Sequence, residues 1–178
     1  LIIRGGHNID PAAIEEALHR HPAVQIAAAV GRPDVHAGEL PIAYVQLKPG
    51  TSANEAEMAA FLRDEISERA AFPKGIRIVD AMPLTGVGKI FKPALKRLET
   101  VDALRSALVE AGVQGATVSI ADDALRGISV HVELPDTELE SLAASALGRF
   151  PFAFSIASAQ GSRSSGDGDG ASETHSVS

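Results

Sequence analysis

The sequence predicts an α+β fold in which a small mixed sheet packs against helices and a second, smaller α-β-β-α-β unit follows. Two observations carry this prediction. Short apolar runs, typical of buried strands, alternate with segments whose apolar residues recur every three or four positions, as in amphipathic helices. Glycine and proline residues separate these segments and mark turns. We therefore divide the chain into residues 1–100, residues 101–160 and a tail over residues 161–178.

The two ends of the chain differ in character. The tail consists mainly of Gly, Ser and Asp. We expect it to be disordered, because it has too little apolar surface to offset the entropy lost on ordering. The first residue, Leu1, is neither an initiator Met nor part of a signal-like segment, and it opens an apparent strand. We therefore expect this chain to be a piece of a longer protein.

The first unit begins with a strand over residues 1–3 and a tight loop over Arg4, Gly5, Gly6, His7 and Asn8. Glycine and asparagine in this loop permit positive φ.

The next elements are two helices, three strands and a short last helix. Asp10 is the predicted cap of the first helix, which has Pro11 at its first position and extends to about Arg20. The later elements are two buried strands at 24–30 and 41–47, a helix behind a Ser52–Glu55 capping box, a strand at 77–79 and a helix from Pro93.

The second unit shows the same kinds of pattern in a different order. We expect a helix over 101–108, strands at 117–120 and 128–132, a helix over 139–147 and a strand at 150–156. No residue pattern in this unit indicates chemistry, so its role stays open.

Composition excludes several classes of function. The chain has no cysteine and therefore neither disulfides nor thiolate ligands, which fits a cytoplasmic location. A net charge of -7 argues against a general nucleic-acid binder, and no apolar run is long enough to span a membrane. The histidines have no carboxylate spacing that completes a metal site, so we assign no metal ligand.

The most informative segment is Pro83–Lys89, where glycines present a lysine from a loop. It is not a Walker A loop, because Pro83 replaces the first glycine and Ile90 replaces the hydroxyl residue. A lysine on such a loop can neutralise the charge that develops when a carboxylate reacts with a phosphate. Taken alone, the pattern fits a solvated surface lysine better, because exposed lysines beside glycine are common.

Residues 1–98 resemble the C-terminal domain of the superfamily of acyl-CoA synthetases, peptide-synthetase adenylation domains and luciferases. Two motifs of the family are present at the right separation. They are Ile3–Ile9 with the helix after Pro11, and Pro83–Ile90 with Leu95 and Lys96. Between them, Gly38–Pro41, a strand and Lys48–Gly50 follow one another as is usual in the family. In this family the C-terminal domain rotates between two half-reactions, and its fold is the mixed sheet with helices predicted above.

The resemblance implies roles for two loops. Lys89 would contact the reacting carboxylate and α-phosphate during adenylation, supported by Thr85, Gly86 and Gly88. The loop of Arg4, Gly5, Gly6, His7 and Asn8 would approach the pantetheine arm of CoA during thioester formation. The spacing from Pro83 to Gly88-Lys89 also resembles the acetylation signature of bacterial acyl-CoA synthetases, so Lys89 is a candidate for acetylation.

The same resemblance implies substrates and a partner. ATP, CoA and a carboxylic acid would be the substrates, and Mg²⁺ would accompany ATP without a ligand from this chain. The partner is an N-terminal adenylation domain, without which the chain is expected to be inactive. The extension over 101–160 resembles those of some bacterial fatty-acyl-CoA ligases, which favours a fatty acid. A basic segment around the lysine loop is expected to attract phosphates; its members are Lys74, Arg77, Lys92, Lys96 and Arg97.

Two alternatives remain open. The acceptor could be a carrier-protein thiol, although Gly115–Ser119 does not match the attachment motif of a carrier domain, which favours free CoA. The chain could instead be a non-catalytic module, with residues 101–160 acting in dimerisation or ligand binding and forming a homo-oligomer through an open sheet edge.

Overall fold

The structure, a computed structural model, describes residues 1–159, so the predicted tail over 161–178 lies outside the described residues. It confirms the α+β class. A five-stranded mixed sheet and a three-stranded sheet lie on either side of one long helix. The elements are β1 Ile2–Arg4, β2 His7–Ile9, α1 Pro11–His19, β3 Val24–Asp34, β4 Gly38–Leu47, α2 Glu55–Glu65, β5 Gly75–Ile78, α3 Lys92–Glu110, β6 Thr117–Asp123, β7 Gly127–Leu134, a 3₁₀ turn Thr137–Leu139, α4 Glu140–Leu147 and β8 Ala153–Ser158.

Strand β4 is the centre of the first sheet. It pairs antiparallel with β3 along its whole length, with β1 at its first residue, and parallel with β5 near its end. Strands β1 and β2 form a hairpin at the edge. In the second sheet β7 lies between an antiparallel β6 and a parallel β8.

The first sheet is covered on both faces, which explains its continuous apolar strands. Alternate residues of β3 and β4 belong to separate cores. Ala27, Ala29, Ala43 and Val45 pack with α1 and α2. The neighbouring strand residues Ala28, Val30, Ile42 and Tyr44 form another core with Met82, which follows β5, and Leu95 of α3.

The helix caps confirm one sequence prediction and correct another. The Asp10 side chain accepts a hydrogen bond from the Ala12 N–H at 3.0 Å, as expected of a cap. Helix α2 is capped by Asn54 and Glu57, so the predicted Ser52–Glu55 box is wrong. The Asn54 amide oxygen accepts from the Glu57 N–H and the Glu57 carboxylate accepts from the Asn54 N–H, both at 2.9 Å. Both pairs have the same sequence spacing, but only Asn54 directly precedes the helix.

A second correction concerns α3. The sequence suggested one helix from Pro93 and another over 101–108, but the structure has a single helix of 19 residues. No glycine or proline interrupts it after Pro93, so nothing ends it at the predicted division between residues 100 and 101. Leu95 packs in a core of the first sheet, and Leu104 and Leu108 pack in the core of the second. One helix therefore contributes to both units.

A buried cluster of charged groups joins α3 to the first sheet. Glu99 is 1% exposed and accepts hydrogen bonds from Tyr44 Oη at 2.6 Å, from Arg32 Nη1 at 2.9 Å and from both Arg77 Nη2, at 3.1 Å, and Arg77 Nε. Asp102, one turn later, also pairs with both arginines. We call these five residues the Glu99 cluster. Its contacts satisfy a carboxylate that would be costly to bury alone.

The cluster alters the acid–base properties of its members. Burial by itself raises the pKa of the Glu99 carboxyl, but hydrogen bonds from Arg77, Tyr44 and Arg32 outweigh it and hold that pKa below its ordinary value of 4.5. Burial and the neighbouring carboxylate raise the pKa of the Tyr44 phenol above its ordinary value. Glu99 is therefore ionised and Tyr44 neutral at pH 7.

Glu39 forms a smaller junction between β1, β3 and α3. Its carboxylate accepts from the Ile3 N–H at 3.0 Å and pairs with Lys96 Nζ at 3.0 Å. It lies over Gly31, where a Cβ would come within 2.6 Å of the Glu39 carboxyl carbon. Gly31 therefore leaves room for the Glu39 carboxylate.

We predict that Gly31→Ala destabilises the chain by about 1–2 kcal/mol, because the new methyl group displaces Glu39 from its two partners. A double-mutant cycle in urea tests this mechanism. In a Glu39→Ala background the same substitution should cost less than half as much, and an undiminished cost would contradict it. Gly86→Ala is the control, since a Cβ there meets nothing within 4 Å.

We also predict a pH-dependent effect of Glu99→Gln. A lowered folded-state pKa means that the contribution of Glu99 to the free energy of unfolding is present above about pH 4.5 and is lost as pH falls through the folded pKa. At pH 7 the variant should lose roughly 3 kcal/mol, since two arginines lose their buried counter-charge. Urea unfolding of both proteins from pH 7 to pH 3 should show this difference shrinking below pH 4.5, and a constant difference would refute the assignment.

Candidate functional site

The predicted lysine loop is a tight hairpin between β5 and α3. Leu84 and Ile90 pair across its base. The Thr85 N–H donates to the Lys89 carbonyl at 2.7 Å, and the Gly88 N–H donates to the Thr85 carbonyl at 2.9 Å. Gly88 has a φ of 80°, as required at the last position of a three-residue hairpin loop with a bulge. The glycine is thus required by the turn.

Thr85 holds the backbone of Lys89 in a second way. Its Oγ1 accepts a hydrogen bond from the Lys89 N–H at 3.1 Å. The lysine side chain is exposed, and no residue within 1–159 forms a hydrogen bond or ion pair with its ammonium. Of the three predicted supporting residues, Thr85 and Gly88 form hydrogen bonds within the hairpin, whereas a Cβ at Gly86 would meet nothing within 4 Å. The hairpin therefore fixes the backbone and leaves the ammonium available.

The glycine loop near the start of the chain is a two-residue turn. Gly5 and Gly6 have φ values of 54° and 85°, typical of the type I′ turn that joins hairpin strands. The sequence had placed His7 and Asn8 in the loop, but both lie in β2 because they pair with Arg4 and Ile3 of β1. The glycines are exposed, and a Cβ at either would meet nothing within 4 Å.

Arg4 lies beside this glycine turn and is held by the backbone. Its Nη1 donates to the Ala70 carbonyl at 2.7 Å, and the Gly5 N–H donates to the Ala37 carbonyl at 2.8 Å. Two clefts of about 660 and 250 Å³ adjoin Arg4. Cationic side chains and one aromatic ring surround the smaller cleft; they are Arg4, Arg63, Arg69, Lys74 and Phe72. Sequence reasoning missed Arg63 and Arg69, which are distant from Arg4 in the sequence.

The two loops are anchored at opposite ends of β4. The glycine turn bonds to Ala37, just before β4, whereas the segment leading to Lys89 bonds near its end through Met82 N–H and Gln46 Oε1 at 2.7 Å. The eight-residue step from Gly38 to Gln46 spans roughly 27 Å in an extended strand. One rigid sheet therefore presents the two loops at separate places.

Most of the predicted basic segment is paired within the chain. Lys92 contacts Glu15 at 2.6 Å and Lys96 contacts Glu39 at 3.0 Å. Arg97 pairs with Asp122, and Arg77 belongs to the Glu99 cluster. Carboxylates thus offset these four charges, and Lys74 alone of the five lines the smaller cleft beside Arg4.

Over residues 1–159 the structure contains no group of three or more histidine, aspartate or glutamate side chains placed to hold a metal ion. The same residues include no helix that is long and apolar enough to cross a membrane.

The Glu99 cluster was also missed from the sequence. One signal was present. Glu99 follows Leu95 by four residues and precedes Ala103 by four, so a carboxylate occupies the buried stripe of an amphipathic helix. Such a position requires buried cationic or hydrogen-bonding partners, but helical spacing does not reveal which ones.

The chain is similar to known proteins in both sequence and fold. The family profile "AMP-binding enzyme C-terminal domain" matches residues 13–89. A marinolic acid–CoA ligase from Pseudoalteromonas is 43% identical over 147 residues, which is 80% of this chain and 22% of that protein. A match of this length includes most of the extension. A long-chain-fatty-acid–CoA ligase from Bacillus subtilis is 40% identical over 100 residues, or 56% of this chain and 18% of the relative.

Solved structures show the same fold. The crystal structure of ATP-bound MatB from Rhodopseudomonas palustris superposes with a TM-score of 0.54 at 28% identity, and the match covers 58% of this chain and 20% of that one. The chain therefore spans about a fifth of the length of the proteins it resembles. Through residues 13–89, this chain carries a member of the AMP-binding enzyme C-terminal domain family, the C-terminal domain of the adenylate-forming enzymes.

Proposed function

We propose that this chain is the C-terminal catalytic domain of an ATP-dependent carboxylate–CoA ligase. The reaction joins a carboxylate to ATP, releasing pyrophosphate and forming an acyl-adenylate, and the thiol of CoA then displaces AMP. The observation that carries the proposal is the anchoring of two exposed loops at opposite ends of β4. A domain built in this way can offer one loop to a reaction centre and, after rotating, the other.

Lys89 acts in the first half-reaction. Its ammonium neutralises the negative charge that the carboxylate and the α-phosphate bring together as they react. Thr85 and Gly88 hold the lysine backbone in the hairpin, so that the ammonium is presented from a fixed base. Gly86 keeps the loop free of a side chain. Acetylation of Lys89 would remove the charge and switch off this step.

The Gly5–Gly6 turn acts in the second half-reaction. Its two glycines let the backbone approach the narrow pantetheine arm of CoA without an intervening side chain. Arg4, held by the Ala70 carbonyl, fixes one side of the turn, and His7 and Asn8 continue it on the other as part of β2. The pairing of β1 with β2 and the bond from Arg4 therefore hold the turn in place when the CoA thiol enters the site.

The proposed enzyme also needs substrates and a partner domain. The substrates are ATP, CoA and a carboxylic acid, expected to be a fatty acid, with Mg²⁺ bound to the nucleotide. Catalysis requires an N-terminal adenylation domain, and the chain alone is inactive. Residues 1–100 form the catalytic unit and 101–160 an extension through which a homo-oligomer could form. A cytoplasmic location and free CoA, in preference to a carrier-protein thiol, complete the proposal.

We predict that Lys89→Ala, in the chain joined to its N-terminal domain, lowers the adenylation rate by roughly 10²- to 10³-fold, as expected for removal of one charge-stabilising group. Pyrophosphate exchange measures this step. Thioester formation from supplied acyl-adenylate should change little, and Lys89→Gln, an acetyl mimic, should behave in the same way. Lys48→Ala, another exposed lysine, is the control. Unchanged exchange in Lys89→Ala would remove Lys89 from catalysis.

We predict the opposite pattern for Gly6→Ala. A side chain at a φ of 85° strains the turn and projects from the surface that faces the thiol, so thioester formation should slow while pyrophosphate exchange is retained. Gly50→Ala is a matched control, because Gly50 also has a positive φ, of 76°, and open surroundings. Equal effects of the two substitutions on the thioester step would mean that the Gly5–Gly6 turn has no special role.

A further inference from the structure

The Glu99 cluster lies in the helix that starts just after the lysine hairpin. Helix α3 begins at Lys92, three residues beyond Lys89, and Glu99 comes two turns later. Three residues of the first sheet bind this part of the helix. Tyr44, Arg32 and Arg77 donate to Glu99, and the two arginines also pair with Asp102. The cluster therefore fixes α3 against β3, β4 and β5.

The start of α3 has little else to define its position locally. Within residues 1–159 no side chain caps its first turn, and its first turn contains no acidic residue. Helices of this kind are positioned by tertiary contacts, because the free N–H groups at their start have no local acceptor. Its tertiary contacts include Leu95 in the core, the exposed pairs of Lys92, Lys96 and Arg97 with carboxylates, and the buried Glu99 cluster.

A continuous chain of contacts leads from Glu99 to Lys89. Leu95 is on the same face of α3 as Glu99, one turn earlier, and packs with Met82 and Ile90. Ile90 pairs with Leu84 at the base of the hairpin, and the Phe91 N–H donates to the Pro83 carbonyl at 2.8 Å. A shift of α3 on the sheet would move both strands of the hairpin.

We propose that Glu99 is a positioning residue for Lys89. By holding α3 on Tyr44, Arg32 and Arg77, it sets the place from which the hairpin presents the lysine. The second half of α3 packs in the core of the second sheet, so the extension moves with the lysine as one body. The catalytic part of this proposal rests on the proposed function, whereas the ordering of the hairpin by Glu99 does not.

The first experiment uses the 178-residue chain and needs no activity. Amide hydrogen exchange is measured at Thr85, Gly88 and Phe91, whose N–H groups are bonded within the hairpin. Glu99→Gln should speed exchange at these three amides roughly tenfold or more with little dependence on urea, as local opening requires, whereas amides of the central strands β3 and β4 should follow the urea-dependent loss of global stability. Hairpin exchange that is unchanged, or that rises only through the urea-dependent global opening, would overturn the proposal.

Two further variants keep the proposal testable if Glu99→Gln does not fold. Tyr44→Phe removes one hydrogen bond to Glu99 and keeps the charge pairs, so it should give a smaller effect in the same direction. Glu110→Gln changes an exposed glutamate of the same helix outside the cluster and should leave the hairpin unchanged. If Tyr44→Phe matched Glu110→Gln, the proposal would fail even where Glu99→Gln does not fold.

The second experiment uses the chain joined to its N-terminal domain. Tyr44→Phe and Glu99→Gln should lower the maximal rate of pyrophosphate exchange and spare thioester formation from supplied acyl-adenylate, because only the first step uses Lys89. A general loss of structure would lower both steps, and that outcome would overturn the positioning role. If Lys89→Ala itself left exchange unchanged, the proposed function would fail, but the hydrogen-exchange result would still stand.

Discussion

The carboxylate of Glu99 is the contact on which the arrangement of this chain depends. It is almost wholly buried, and it is stable there only because a phenol and two guanidinium groups from three different strands converge on it. Removing the carboxylate leaves two guanidinium groups without their buried counter-charge, and removing an arginine takes one of the two cations away from the buried carboxylate. Its hydrogen bonds join α3 directly to β3, β4 and β5, in addition to the apolar contacts that Leu95 makes in the core.

In its position on the first sheet, α3 connects the lysine hairpin to the extension. The first half of α3 follows the lysine hairpin and packs on the first sheet, and its second half supplies Leu104 and Leu108 to the core of the extension. The glycine turn is tied to the other end of β4. A single sheet and a single helix thus connect Lys89, the Gly5–Gly6 turn and the extension, as the proposed rotation of this domain as one body would require.

The basic residues that closely follow Lys89 in the sequence are neutralised in the folded chain. The basic residues after Ile90 suggested a surface for phosphates, yet Lys92, Lys96 and Arg97 each face a carboxylate from another element. Cations that accompany Arg4 are found instead beside the glycine turn, where Arg63, Arg69 and Lys74 come together from separate parts of the chain. Net charge along a segment does not indicate where the folded surface is positive.

The sequence by itself determined most of the elements, the Asp10 cap and the glycine loop that carries Lys89, because apolar periodicity and glycine punctuation are local properties of the chain. That this loop is a tight hairpin came from the structure. It also carried the motifs that identify the family. Only the tertiary structure decided the continuity of α3, the pairing of His7 and Asn8 in β2 and the Glu99 cluster. Glu99 meets Tyr44 and Arg32 from 55 and 67 residues away, and no local pattern specifies which distant groups will share a buried site.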